Sequence, residues 1–211
     1  MASITFREGT REDIPAMARV SEAAFASYPL ELSFFPQSAR DSPEWDDNQL
    51  KWRMEQAYVL WDTKCIKFWL AEDAGAGGKI VGVAAWRLSD EEMDLPVRPF
   101  EKFQPPPLLD VASFKEAVAK EREMTAKLEP IMPKTRSLSL VAVDPAYQGQ
   151  HVGKQLVAKC VEEADAVQRG LWLTCRHELV DWYGSSGFTK LASVSILGYR
   201  CWSLVKDVSL E

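Results

Sequence analysis

The chain has 211 residues, 46% hydrophobic and 27% charged, a balance that fits one globular domain with a sizeable core and excludes disorder or a fibrous repeat. Asp and Glu number 31 against 25 Lys and Arg, a formal net charge of −6; this speaks against nucleic acid as a partner, because nucleic-acid binders carry a basic excess or stripe. The four cysteines (Cys65, Cys160, Cys175, Cys201) form no CxxC pair and only two histidines are present, so buried reduced thiols are expected and no metal site.

From the start of the chain, Met1 to Glu8 has no signal-peptide core and no later apolar run reaches the length of a membrane span, so a cytoplasmic protein without a membrane partner is expected. Ile4-Thr5-Phe6-Arg7 reads as a short strand, and Thr10-Arg11-Glu12-Asp13 as a capping box with Asp in place of Glu. Ile14, Met17, Ala18, Ser21, Ala24 and Phe25 then share one helical face up to Pro29.

The stretch from Pro29 to Asp62 is rich in aromatic residues, with a second helix expected after Asp41-Ser42-Pro43. Cys65 to Ala71 and Ile80 to Leu88 read as antiparallel strands joined through Asp73-Ala74-Gly75-Ala76-Gly77-Gly78. An insertion follows over about 89–133: an acidic, proline-punctuated part ending in Pro105-Pro106-Pro107, then a charged helix from Val111 to Leu128.

Leu138 to Val143 is a strand ended by Asp144-Pro145, and the helix beginning near His151 presents Val152, Leu156, Val157, Cys160, Val161 and Ala164 as its apolar face. Leu171 to Cys175 is a further strand, a helix covers Glu178 to Ser185, and Phe188 to Leu191 with Val194 to Leu204 form a closing hairpin. These elements describe an α/β fold with a mixed sheet in a three-layer or splayed arrangement. The whole chain, 1–211, is expected to be one domain carrying the insertion.

The chemistry concentrates between Leu140 and Lys154. A strand runs there through the glycine-containing turn Gln148-Gly149-Gln150-His151-Val152-Gly153 into a helix. Free N–H groups at a helix start, with the positive end of the dipole, suit a phosphate, and glycines let the main chain approach it. Neither GxGxxG nor GxxxxGK[ST] is present, which removes the dinucleotide and P-loop readings. A turn merely shaped by Gly149 and Gly153 is the competing explanation.

Gln148 to Gly153 resembles the Gln/Arg-x-x-Gly-x-Gly/Ala hallmark of the GNAT N-acetyltransferase superfamily, preceded by Leu140-Val141-Ala142-Val143-Asp144-Pro145. Trp182-Tyr183-Gly184-Ser185-Ser186-Gly187-Phe188 resembles the family's Phe-Tyr-x-x-x-Gly-Phe. The look is closest to small-molecule acetyltransferases of the puromycin-acetylating sort. The resemblance implies a mostly antiparallel splayed sheet flanked by helices and acetyl-CoA as cofactor, held by Leu140, Val141 and Val143 through the pantetheine arm and by Gln148, Gly149, Gln150, His151, Val152, Gly153 and Lys154 at the pyrophosphate. It also implies Tyr183 as the acid that protonates the departing thiolate, a role compatible with a phenol protonated at neutral pH. Two positions depart from the pattern: His151 stands where the family has its middle glycine, and Arg176 where it often has asparagine.

Glu72 and His177 are candidate proton acceptors for the amine by placement, against ordinary solvated or packed roles. Tyr28, Phe34, Phe35 and Trp45 are candidates for an aromatic acceptor cleft, against plain core packing. The reading is transfer of an acetyl group to a primary amine of a small molecule by a monomer or homodimer. The alternatives are a protein or peptide acetyltransferase and a non-catalytic acetyl-CoA-binding module.

Overall fold

Alternating β-rich and amphipathic segments condense onto a single seven-stranded sheet in the computed structural model, which describes residues 3–93 and 108–207. The strands are β1 (Ile4–Glu8), β2 (Ile66–Asp73), β3 (Lys79–Arg87), β4 (Thr135–Val143), β5 (Gly170–Arg176), β6 (Thr189–Ile196) and β7 (Tyr199–Lys206). Their order is β1-β2-β3-β4-β5-β7-β6. All neighbours are antiparallel except β4 and β5, which run parallel. The helices are α1 (Ile14–Phe25), α2 (Pro29–Leu32), α3 (Gln37–Arg40), α4 (Trp45–Asp62), α5 (Val111–Thr125), α6 (Val152–Asp165) and α7 (Val180–Gly184).

The entry to α1 is fixed by the expected box: the Asp13 carboxylate accepts hydrogen bonds from the Thr10 N–H (2.7 Å) and hydroxyl (3.0 Å). Ile14, Met17, Ala18 and Ser21 are buried as their spacing requires, together with Val20. This helix and α4 cover one sheet face, where Phe68, Leu70, Val83 and Ala85 project. On the opposite face α6 lays Val152, Leu156, Val157, Cys160 and Ala164 against Ala71, Val81, Ala84 and Trp86. Each large apolar side chain removed from water there contributes about 1.5–3 kcal/mol. Gly82 permits the close approach, because a Cβ on it would stand 3.0 Å from Leu156 and 3.1 Å from Val152.

Helix α5, from the expected insertion, packs on β6 and β7 through Ala117 and Met124, which meet Ala192, Ile196 and Cys201. Its N-terminus is capped by the Asp110 carboxylate, and the Asp110 N–H donates to the Phe34 carbonyl at 2.8 Å, which ties α5 to the chain after α2. The segment directly after β3 is anchored differently. Arg136, 4% exposed, makes a paired contact with Glu92 (2.6 Å) and stacks over Trp86 (4.3 Å). Residues 94–107, with the Pro105-Pro106-Pro107 run, lie outside the described residues.

The structure corrects the closing hairpin. Its turn is Leu197-Gly198, both at positive φ (48° and 86°), and β6 runs unbroken through the expected gap at Ala192 and Ser193. A two-residue turn with both φ positive matches the twist of the flanking strands, and Gly198 is the residue that permits it. Strand β4 also begins three residues earlier than its apolar run, at Thr135, because Thr135 to Ser137 pair with β5.

Candidate functional site

The site begins where the sheet divides. Strand β4 pairs with β5 only over Thr135 to Ser137, and beyond Ser137 the two separate. Leu140 pairs with Ala85 and Leu138 with Trp86, so Ser139 is an extra residue on β4. A bulge of this kind bends a strand away from its neighbour. Burial follows the divergence: Thr135 to Leu138 are buried, Ser139 is exposed, and Leu140, Val141 and Val143 are half-buried. The separated stretch lines a cleft of about 950 Å³.

The turn after β4 is held by its own side chains. Asp144 accepts from the Ala146 N–H (3.0 Å) and pairs with Lys79 (2.8 Å), which keeps its carboxyl below the usual carboxylate range. The Gln148 amide donates to the Val143 carbonyl (3.0 Å), and the Tyr147 hydroxyl to Asp73 (3.0 Å). Gly149 and His151 both adopt the left-handed region, with φ of 74° and 63°. The first backbone bond into α6 is Gln155 N–H to His151 C=O, so the N–H groups of Val152, Gly153 and Lys154 have no earlier turn of helix to bond. Two left-handed residues flanking Gln150 ahead of a helix start leave a concave set of donors that suits a phosphate.

The sequence-derived residues fall into two groups. Leu140, Val141, Val143, Gln148, Gly149, His151, Val152, Gly153, Lys154, Arg176 and Tyr183 all line the cleft. Gln150 does not; its side-chain amide turns back to the Ala146 carbonyl (3.2 Å). Glu72 also stands elsewhere, at the β1–β2 edge, where Arg7 bridges it (2.8 Å) to Asp13 (2.7 Å). His177 accepts at Nδ1 from the Trp202 indole N–H (3.1 Å) and is likewise not a lining residue.

Tyr183 is 7% exposed and is held edge-on between Trp182 (4.7 Å) and Phe188 (5.8 Å). Burial, with the nearby Cys175 and Cys160 thiols, pushes its phenol well above its ordinary value. Arg176, at the end of β5, places its guanidinium over the Tyr28 ring.

Of the four aromatic candidates for the acceptor wall, Tyr28 and Phe34 line the cleft. Phe35 and Trp45 do not: they pack edge-on against each other at 4.8 Å at the start of α4. Helix α5 supplies the wall that sequence reading missed, through Phe114, Ala117, Val118, Glu121 and Met124. Their spacing marks one helix face, a signal available in the sequence but hidden within a helix read as merely charged. Among the described residues no group of three or more His, Cys, Asp or Glu is placed to hold a metal, and all four cysteines are free and buried.

A model of the GNAT acetyltransferase family matches residues 26–188. Similar solved structures include a histone acetyltransferase HPA2 and related acetyltransferase from Corynebacterium glutamicum, with TM-score 0.64, 20% identity, and coverage of 100% of this chain and 99% of that one. The ribosomal-protein-S18-alanine N-acetyltransferase of Escherichia coli aligns with TM-score 0.55 at 15% identity over 99% and 96% of the chains. The same figures hold for yncA, a putative acetyltransferase from Salmonella typhimurium with its cofactor acetyl-CoA. At these identities the structures establish the fold. Together with a divided sheet, a phosphate-suited turn and two motifs in their expected order, the family match over most of the chain settles its membership: this protein belongs to the GNAT acetyltransferases, acyltransferases that use acetyl-CoA.

Proposed function

We propose that the protein transfers an acetyl group to the primary amine of a small molecule by direct attack within a ternary complex. The observation that carries this reading is the divergence of β4 from β5 beside the open start of α6, because it joins an anion-suited turn and an apolar acceptor wall in one cleft. Acetyl-CoA supplies the activated acetyl thioester. The N–H groups around Gly149 to Lys154 hold its pyrophosphate, with Lys154 as a mobile point charge at the same turn. The main chain of Leu140 to Val143, released from β5, pairs with the pantetheine amides and orients the carbonyl.

The amine attacks in its neutral form; Tyr183 donates a hydrogen bond to the departing sulfur and its proton follows, while the acylated nitrogen releases a proton to solvent, from which the phenol is reprotonated. The upward shift of the phenol keeps it protonated through the neutral and mildly alkaline range, while making complete transfer harder; a hydrogen bond to developing negative charge meets both conditions. A small acceptor is favoured over a peptide because α5, tied to Phe34 and seated on β6, walls the cleft where an extended chain would need an open groove.

Calorimetry with acetyl-CoA, followed by turnover against a panel of small amines and N-terminal peptides, tests the reading. Acetyl-CoA at a hundredfold its Kd should add about 2.7 kcal/mol of stability, and small amines should outpace peptides. No binding by the folded protein would refute the reading, and preferential peptide turnover would replace its substrate class.

A further inference from the structure

We propose that the part of the cleft walled by α2, α5 and the β6–β7 hairpin is a subsite for a primary ammonium carried on an aromatic or similarly apolar body, with Glu121 as its counter-charge. The inference rests on the acetyl-transfer reading of the same cleft and adds the substrate class to it.

Among the described residues that line the cleft, Glu121 is the one carboxylate. It lies one turn after Ala117 and three residues before Met124, both buried, so it shares their stripe of α5 and is itself exposed at the cleft surface. The same cleft wall carries Phe34 and Phe114, edge-on at 5.7 Å, with Met124, Ile196 and the Cys201 thiol, which burial and the Glu121 charge push upward. No ion pair or hydrogen bond joins Glu121 to any described residue. Its side chain still reaches the solvent of the cleft, but the surrounding walls desolvate it enough to raise its carboxyl above the usual range. A carboxylate in such surroundings is stabilised most by a cation that brings its own hydrogen-bond donors.

Charge divides the cleft accordingly. Lys154 at the phosphate turn suits an anionic cofactor and Arg176 is engaged over the Tyr28 ring, whereas the α5 wall offers an anion and aromatic surface. An ammonium on an apolar body matches both features. A free amino acid would set its own carboxylate against Glu121.

The test uses the full chain saturated with coenzyme A, which binds without transferring anything, and titrates in 2-phenylethylamine or its neutral analogue 2-phenylethanol by calorimetry. The parent protein should prefer the amine by about tenfold or more, the ratio expected of a charge-assisted hydrogen bond. Glu121→Gln should abolish that preference, Glu121→Asp should keep part of it, and all three proteins should bind coenzyme A alike and melt together. Equal preference in the parent and Glu121→Gln, or no amine binding to the coenzyme A complex, would overturn the proposal. Glu121-dependent binding of an amine that is never acetylated would support the subsite and count against the transfer reading. Acetylation of the amine that ignores Glu121→Gln would sink the subsite alone.

Discussion

The guanidinium of Arg176 lies 5.3 Å from the centroid of the Tyr28 ring, so the end of β5 and the segment between α1 and α2 meet at the cleft. Burial raises the Tyr28 phenol to about 12, with the Arg176 charge pulling it down. A cation over an aromatic face at a partly exposed site is worth about 0.5–1 kcal/mol. Arg176→Asn, which restores the residue common in the family, should therefore raise the acceptor KM about two- to fivefold. Steady-state kinetics with each substrate varied will check this: a larger change in acetyl-CoA affinity than in acceptor KM would move Arg176 to the cofactor.

His151 holds φ at 63° with its side chain exposed. A non-glycine residue in the left-handed region costs about 1–2 kcal/mol, and a glycine would remove that cost while losing some to the freer unfolded chain. His151→Gly should raise stability by about 0.5–1 kcal/mol and leave acetyl-CoA affinity equal or tighter. Chemical denaturation and calorimetry will decide; weaker binding by the variant would mean that the imidazole itself meets the phosphate.

Tyr183→Phe keeps the ring between Trp182 and Phe188 and removes only the hydroxyl. Turnover should fall about a hundred- to ten-thousandfold while acetyl-CoA binding and melting stay unchanged. Because the parent phenol is shifted upward, its activity should show no loss through deprotonation of Tyr183 below pH of about 10, the ordinary phenol value. Parental rates in the variant would return Tyr183 to a packing role.

Glu92 and Arg136 bind the segment after β3 to the sheet. Burial pushes the Glu92 carboxyl up, but hydrogen bonds from Arg136 and Ser89 outweigh it and bring it to about 2. A carboxyl lowered on folding stabilises the protein above its unfolded value, about 4.5, and that contribution is lost as pH falls toward 2. Glu92→Gln should cost about 2–4 kcal/mol, since it leaves a buried guanidinium poorly matched, and should flatten the stability profile between pH 4.5 and 2. Urea melts across that range provide the measurement.

Periodicity and local chemistry made most of the frame legible in the sequence. The Thr10–Asp13 cap, the apolar faces of α1 and α6, and the turn around Gly149 all depend on residues within a few positions of one another, so their spacing carries the information. The left-handed turn at Leu197-Gly198 was equally local, but a β-rich run on both sides masked it. Tertiary structure decided what depended on distant pairing. The bulge at Ser139 and the release of β4 from β5 arise from the registers of three strands, which no local pattern encodes. Glu72 looked available at a strand end until β1 brought Arg7 beside it, 65 positions away in sequence. Glu121 looked like one charge among many on α5 until the packing of Ala117 and Met124 on β6 and β7 turned it into the cleft. A side chain's type sets what it can do, and its long-range neighbours set whether it meets solvent, a counter-charge or a substrate.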